Sequence, residues 1–119
     1  MFSIQEVAEK TGVTAHTLRY YEKEGILPPI GRDTAGRRVY SDENLAWLEL
    51  VTCLKATKMP VADIKEIVRL SIEGDGTIPT RREILVAHRK VMEAQLAELE
   101  QNISKIDKKI AFYDGADSC

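Results

Sequence analysis

One long stretch, residues 79–113, carries apolar side chains at alternating spacings of four and three, with polar side chains between them. This alternation is the period of about 3.5 residues that is typical of a coiled-coil seam. Pro79 suits a helix's first turn, and Thr80 and Glu83 have capping-box spacing, so we expect a helix on the order of 50 Å long. Arg89 interrupts the seam, and pairing should be weakest there. The predicted dimerisation positions are Leu85, Met92, Leu96, Leu99, Ile103, Ile106, Ile110 and Tyr113.

Such a seam requires a second, similar helix, and the sequence contains only one. We therefore expect a homodimer that is held by this helix. The alternative is a terminal helix that folds back onto its own domain.

Two short amphipathic segments open the chain, each with a start and a stop signal. Ser3 and Glu6 have capping-box spacing for a first helix, which Gly12 ends. Thr14 is a suitable N-cap for a second helix over residues 15–24, which Gly25 ends. This pair is typical of a helix-turn-helix, whose second helix enters the major groove of DNA. That helix offers Thr14, His16, Thr17, Arg19, Tyr20 and Tyr21.

Residues 26–40 have the turn and strand signals of a hairpin. Pro28 and Pro29 prevent a helix, residues 33–36 predict a turn, and residues 37–40 return as a strand. The hairpin is locally basic, because only Asp33 opposes its arginines, Arg32, Arg37 and Arg38. A basic hairpin is often a solvated edge, but beside a helix-turn-helix a wing that holds DNA phosphates is favoured.

Two further helices follow. Ser41 caps the first of them, which carries Asp42 and Glu43 in its first turn and is predicted to be largely buried. Pro60 opens the next, which runs to about Glu73. The apolar residues of the two helices are Leu45, Trp47, Leu48, Leu50, Val51, Leu54, Ile64, Ile67, Val68 and Leu70. Glycines at 74 and 76 mark a hinge, so the predicted domains are residues 1–76 and 77–119.

Composition adds little to this prediction of a mainly α fold. A chain of 119 residues, 44% hydrophobic and 30% charged, fits one globular domain plus the long helix. The formal net charge of -2 does not show where basic residues cluster. No signal peptide and no apolar run near about 18 residues is present, which argues against a membrane partner. The two cysteines, Cys53 and Cys119, form no CxxC motif, which fits a reducing cytoplasm.

Four stretches occur in order along the chain: IQEVA at 4–8, TAHTLRYYE at 14–22, GILPP at 25–29 and GRRVYS at 36–41. With the two helices that follow and the long terminal helix, they resemble the MerR family of bacterial transcription regulators over nearly the whole chain. The resemblance implies a winged helix-turn-helix domain and an antiparallel coiled coil in a homodimer. It also implies binding to palindromic operators in promoters whose spacer is too long for RNA polymerase. Distortion of that double-stranded promoter DNA would then activate transcription.

The resemblance also implies roles for individual residues. Phosphates would be held by Arg19, Tyr21, Arg38 and Tyr40, while His16 lies where a base contact is expected. Tyr20 is predicted to pack in the core. Lys55 and Lys58 form either a second wing that touches the DNA backbone or merely a solvated helix end. The full predicted DNA-binding set is Thr14, His16, Thr17, Arg19, Tyr21, Arg37, Arg38, Tyr40, Lys55 and Lys58.

Metal-sensing members of this family have a cysteine near the start of the long helix, where this chain has residues 77–80, TIPT. Beyond Tyr113 only Cys119 remains, and a soft-metal site needs at least two fixed thiolates, so we expect neither metal nor cofactor. Cys53 resembles the lone cysteine of the NmlR/AdhR-like branch, which is associated with reactive aldehydes and other thiol-active stress. The alternatives are a small buried hydrophobe at Cys53 and an unrelated small-ligand or metal signal.

Two other classes of protein fit the sequence less well. An enzyme is not expected, because no paired acid and base, phosphate loop or ligand cluster is present. A structural coiled-coil protein would explain the long helix, but it leaves the motif around Arg19 and the basic hairpin unexplained. The inducer, the operator, the target genes and the role of Cys119 stay open.

Overall fold

The computed structural model describes residues 1–115, and the chain divides into two compact units, residues 1–82 and 83–119. The first unit contains four helices, a short 3₁₀ turn and a small sheet, and the second is formed by the greater part of one long helix. The mainly α class with a long C-terminal helix is therefore confirmed. The predicted domain boundary after Gly76 stays a prediction.

The first helix, α1 (Ile4–Thr11), begins at the predicted capping box. The Ser3 hydroxyl accepts from the Glu6 N–H at 3.1 Å, and a Glu6 carboxylate oxygen accepts from the Ser3 N–H at 2.9 Å. Gly12 ends the helix with φ at 75°, a left-handed conformation that costs glycine little. Sequence-local signals thus define both ends of this helix.

The second helix, α2 (Ala15–Lys23), is capped by Thr14, whose hydroxyl accepts from the Thr17 N–H at 3.1 Å. Leu18 and Tyr21, three residues apart on one face, are buried. Tyr20 is exposed, so its predicted place in the core is wrong. The physical reason is helical phase: only one of two adjacent aromatic side chains can share a face with Leu18.

The predicted hairpin is present as β2 (Gly31–Arg32) and β3 (Arg38–Tyr40), which pair antiparallel. These strands and the turn between them form the wing, residues 31–40. A third strand, β1 (Phe2–Ser3), was not predicted from the sequence; it pairs antiparallel with β3, and Phe2 lies opposite Tyr40. The sheet order is therefore β1-β3-β2, with β3 in the middle.

Helices α3 (Asp42–Ala56) and α4 (Val61–Glu73) complete the core of the first unit. Ser41 caps α3 as predicted, in a capping box with Asn44. Trp47 and Leu50 are only half-buried, so α3 is less enclosed than its apolar content suggests. The buried core residues are Val7, Leu18, Tyr21, Ile26, Leu27, Ile30, Tyr40, Leu48, Val51, Leu54, Met59, Ile64, Ile67, Val68 and Leu70.

A 3₁₀ turn (Asp75–Thr77) leads into α5 (Ile78–Tyr113), which is 36 residues long. The predicted capping box of Thr80 and Glu83 is wrong, because the helix has already begun at Ile78. Instead, the Thr77 hydroxyl donates to the carbonyl of Leu70 at 2.7 Å and accepts from Arg81 Nε at 3.1 Å. These bonds tie the start of α5 to the end of α4.

In the second unit, the predicted seam side chains of α5 are exposed, from 38% at Met92 to 85% at Tyr113. Arg89, the charged seam position, lies 3.9 Å from Glu93 in an exposed ion pair. Across residues 1–115, no helix combines the length and the apolar character needed to span a membrane.

Candidate nucleic-acid interface

The second helix presents a polar face because its apolar face is anchored in the core. Leu18 and Tyr21 hold α2 against the domain, while Thr14, His16, Arg19 and Tyr20 are exposed. Thr17 is half-buried and accepts a 2.9 Å hydrogen bond from the Thr14 hydroxyl. The exposed set contains hydroxyl, imidazole, guanidinium and phenol groups, which suit contacts with base edges and phosphates.

Beside this face lies an open cleft of about 490 Å³. Four arginines line it, from α2 and from the wing, together with the first residues of the chain. This basic cleft is defined by Arg19, Arg32, Arg37 and Arg38. Guanidinium groups gathered along one side of a domain form the electrostatic footprint expected of a protein that binds a phosphate backbone.

The turn of the wing is rigidly hydrogen-bonded. The Asp33 carboxylate accepts from the N–H groups of Ala35 and Arg37, each at 2.9 Å, and from Arg37 Nε at 3.2 Å. The hydrogen bond from the Arg37 N–H is the main reason that the pKa of Asp33 lies below its ordinary value. Arg32 Nη1 donates to the carbonyl of Gly36 at 3.2 Å. The turn therefore presents Arg32 and Arg37 from a fixed backbone.

Arg38 is held differently, by a carboxylate on α2. Arg38 Nε donates to Glu22 Oε1 at 2.7 Å, and Glu22 Oε2 accepts from the Ile30 N–H at 3.0 Å. Burial raises the pKa of Glu22, but the hydrogen bonds from Ile30 and Arg38 outweigh burial and lower the pKa from its ordinary value of 4.5. Sequence reasoning missed this pair, because sixteen positions separate the two residues.

Tyr40, predicted to hold a phosphate, has a buried side chain, and its hydroxyl has no hydrogen-bond partner among the described residues. Burial raises its pKa above the ordinary value of 10.0. A phosphate could reach this hydroxyl only if the covering side chains moved. Tyr21 is also buried, and the Lys55 ammonium lies 5.1 Å from the centre of its ring. Of the two tyrosines on α2, Tyr20 is the one open to solvent.

The last turn of α3 exposes Lys55, and the turn between α3 and α4 exposes Lys58. Lys58 has φ at 64°, the left-handed region that side chains other than glycine rarely adopt. Met59, which follows it, is buried and anchors the turn. This geometry presents two ammonium groups on the first unit, as a second wing would require.

Cys53 is exposed on α3, so its interpretation as a buried hydrophobe is wrong. It lines a cleft of about 480 Å³ between α1 and α3. The other lining residues are Lys10, Thr11, Leu45, Leu48, Glu49 and Thr52. The sequence leaves the role of Cys119 open, and this residue lies outside the described residues.

Within residues 1–115, no group of three or more His, Cys, Asp or Glu side chains is arranged to hold a metal ion.

An exposed helix of a helix-turn-helix beside a wing and a basic cleft defines a winged helix-turn-helix DNA-binding protein. The chain belongs to the MerR family: residues 2–71 match the model of MerR HTH family regulatory proteins, and residues 45–109 match the MerR DNA-binding model. The protein is therefore a MerR-family DNA-binding transcriptional regulator, as the motif order predicted.

The relatives found in comparisons are also transcriptional regulators. An uncharacterized HTH-type transcriptional regulator of Haemophilus influenzae is 42% identical over 115 residues, which cover 97% of this chain and 85% of the relative. The HTH-type transcriptional regulator AdhR of Bacillus subtilis is 38% identical over 88 residues, which cover 74% of this chain and 63% of AdhR. The predicted likeness to the NmlR/AdhR-like branch is confirmed.

A solved structure extends this similarity to three dimensions. The crystal structure of HiNmlR, a MerR family regulator lacking the sensor domain, bound to promoter DNA, matches with a TM-score of 0.79. The two sequences are 41% identical, and the match covers 96% of this chain and 90% of HiNmlR.

Proposed function

We propose that this regulator acts as a homodimer that binds promoter DNA, distorts an over-long promoter spacer, and activates transcription when a thiol-reactive signal modifies Cys53. The observation that carries the DNA-binding part is the placement of the basic cleft beside the exposed face of α2. The similarity to HiNmlR, whose structure contains promoter DNA, supports the same use of this surface.

Arg19 and Tyr20 are the residues of α2 best placed for the backbone. Both are exposed, and Arg19 also lines the basic cleft. A guanidinium and a phenol each donate hydrogen bonds to phosphate oxygens. Tyr20 thus replaces Tyr21 as the favoured tyrosine contact, because the Tyr21 ring is buried.

The exposed seam of α5 supports the homodimer. Its apolar side chains follow a heptad, and burial of such a stripe is the main driving force for a coiled coil. In an antiparallel pair, two DNA-binding units would be separated by a stiff spacer, which fixes the distance between half-sites. A change in the angle between subunits would then bend and untwist the intervening base pairs and align the promoter for RNA polymerase.

Exposure of Cys53 supports a thiol signal, because reaction with an electrophile requires access to the sulfur. The cleft beside it contains Leu45 and Leu48, which could contact a small organic electrophile. Addition of an adduct on α3 would alter packing within the winged unit, close in sequence to the lysines of the second wing.

The sensor is tested by transcription in vitro from the promoter upstream of the chain's own gene. Wild type, Cys53→Ser and Cys119→Ser are compared without addition and with an aldehyde, a thiol oxidant or a soft metal ion. We expect the aldehyde or the oxidant to activate wild type and Cys119→Ser but not Cys53→Ser. Activation that persists in Cys53→Ser would contradict the thiol signal and direct attention to a small ligand or metal.

The DNA contact is tested separately, by measuring affinity for that promoter duplex over a range of salt concentrations. Arg19→Ala should weaken binding and reduce the salt slope by about one, because one phosphate contact is lost. Arg69→Ala is the matched control, since Arg69 is paired with Glu66 and Glu73 on its own helix. Equal affinities and slopes for wild type and Arg19→Ala would contradict the proposed docking.

A further inference from the structure

The carboxylate of Glu22 joins the second helix to β3 of the wing and to the residue before β2. One oxygen accepts from the backbone of Ile30, directly before β2, and the other accepts from Arg38, the first residue of β3. The two charged side chains are only 16% and 20% exposed. Because both oxygens are used, Glu22 links α2 to the wing region at two points.

The pairing also restricts the guanidinium of Arg38. Arg38 is planar and carries five N–H donors in a fixed fork, so a bond at Nε determines the direction of the remaining nitrogens. Within residues 1–115, Nη1 and Nη2 of Arg38 make no hydrogen bond, and Arg38 lines the basic cleft together with Arg19. A guanidinium whose Nε is already bound and whose Nη atoms are unused is arranged to take a second anion.

We propose that Glu22 is a positioning residue for DNA binding, which fixes the wing against α2 and orients the Nη donors of Arg38 toward a backbone phosphate. The proposal rests on the DNA-binding surface described above. Glu22 itself does not touch DNA in this scheme. Its carboxylate already restricts the conformations of the Arg38 side chain in the free protein. Less conformational entropy is therefore lost when Arg38 binds a phosphate, which is the usual advantage of a preorganised contact.

A positioning role for Glu22 predicts the opposite effect on DNA affinity from the effect of its negative charge alone. A carboxylate near DNA repels phosphate, so its removal should strengthen binding if charge alone mattered. If Glu22 positions Arg38, its removal should weaken binding although the protein becomes more positive. Glu24 offers a matched control, because it lies at the end of the same helix, carries the same charge and is exposed.

The experiment measures the affinity of full-length wild type, Glu22→Gln and Glu24→Gln for two duplexes. One carries the promoter region upstream of the chain's own gene, and the other has a random sequence of equal length. We expect Glu22→Gln to bind about tenfold more weakly, which corresponds to one charge-assisted contact, and Glu24→Gln to bind as well as wild type or better. Binding of Glu22→Gln that equals or exceeds wild type would overturn the proposal. Failure of wild type to bind either duplex would instead refute the DNA-binding surface.

The dependence of DNA affinity on salt concentration (the salt slope) distinguishes a positioning role for Glu22 from a purely structural one. Arg38→Ala should reduce the slope by about one, and Glu22→Gln should reduce it similarly, although it removes a negative charge. The double variant should bind no more weakly than Arg38→Ala, because the two residues act on one contact. Losses that add, or a lower unfolding temperature with an unchanged slope, would show a structural role alone.

Arg38→Lys provides a test that leaves Glu22 in place. Lysine keeps the charge, but its single ammonium cannot hold Glu22 and a phosphate in the geometry of a planar fork. We expect weaker binding than wild type on both duplexes. Wild-type affinity in Arg38→Lys would overturn the proposed orientation of Arg38.

Discussion

Tyr20 and Tyr21 are adjacent on α2 with ring centres 6.4 Å apart, yet Tyr21 is 7% exposed and Tyr20 is 48% exposed. Tyr21→Ala should therefore lower the free energy of unfolding by about 3–5 kcal/mol, as for other large aromatic truncations in a core. Tyr20→Ala should change it by less than about 1 kcal/mol. Urea denaturation of both variants measures the difference. Similar losses of stability in the two variants would contradict the assignment of Tyr21 to the core and Tyr20 to the surface.

Tyr40→Phe should leave the fold as stable or more stable. The variant removes a buried hydroxyl that has no partner among the described residues, and such a group costs about 1–3 kcal/mol. We expect the free energy of unfolding to rise by up to about 1 kcal/mol in urea denaturation. A clear loss of stability would mean that the hydroxyl has a partner in solution. If the hydroxyl contacts phosphate after side-chain movement, promoter affinity should fall in the same variant.

Glu22 should make stability depend on pH in the acid range. Its pKa is lower in the folded protein than the ordinary 4.5, so the folded state favours the ionised carboxylate. The resulting stability is present above the unfolded pKa and is lost as the pH falls through the folded pKa. We expect urea denaturation between neutral and acid pH to show a shallower pH dependence for Glu22→Gln than for wild type. Glu24→Gln is the control, and a wild-type pH profile in Glu22→Gln would contradict the argument.

The parts of the fold that the sequence predicted correctly depend on close neighbours. The caps at Ser3, Thr14 and Ser41 each use a residue three positions away, and all three are present. The strand at Phe2 could not be predicted in this way, because two residues carry no periodicity and the partner, Tyr40, is distant in sequence. The start of α5 was predicted to within one residue, and Pro79 lies in its first turn, but the capping box of Thr80 and Glu83 is wrong because the helix has already begun at Ile78.

The residues of the candidate site divide in the same way, into those predicted from near neighbours in sequence and those that depend on packing between distant segments. The arginines of the wing were found from composition and turn signals, whereas the pair of Glu22 and Arg38 depends on how α2 packs beside the wing. The two tyrosines of α2 were assigned to the wrong sides, although a usable signal existed. Leu18 and Tyr21 are three residues apart, the spacing of one helix face, and this spacing indicates that Tyr21 faces inward.

Charged substitutions in the seam of α5 should prevent dimerisation. Leu99→Lys and Ile103→Lys each place an ammonium where the proposed partner helix would bury an apolar side chain. We expect light scattering after size exclusion to give about half the wild-type mass for these variants. Gln101→Lys is the control, because position 101 lies opposite the seam. A monomeric wild type would contradict the proposed coiled coil, as would dimers of undiminished mass in both seam variants.

Lys58→Gly should stabilise the protein while weakening its affinity for DNA. Lys58 has φ at 64°, and relief of this backbone conformation should add about 1 kcal/mol to the free energy of unfolding. Lys55→Gly, in the last turn of α3, should instead cost up to about 1 kcal/mol, because glycine has a low helix propensity. Thermal unfolding and promoter binding of both variants measure the two effects. Unchanged DNA affinity in both would remove the second wing from the interface.

The central place of β3 in the small sheet has a consequence for how the protein folds. Phe2 pairs with Tyr40, so both helices of the helix-turn-helix lie inside the loop that this pairing closes. Loop closure costs entropy before the distant contact is gained, whereas helices form from local contacts. We expect α1 and α2 to be acquired early and the sheet late. A chain emerging from the ribosome would then hold a helix-turn-helix before Arg38 is in place, and full DNA affinity would be the last property to appear.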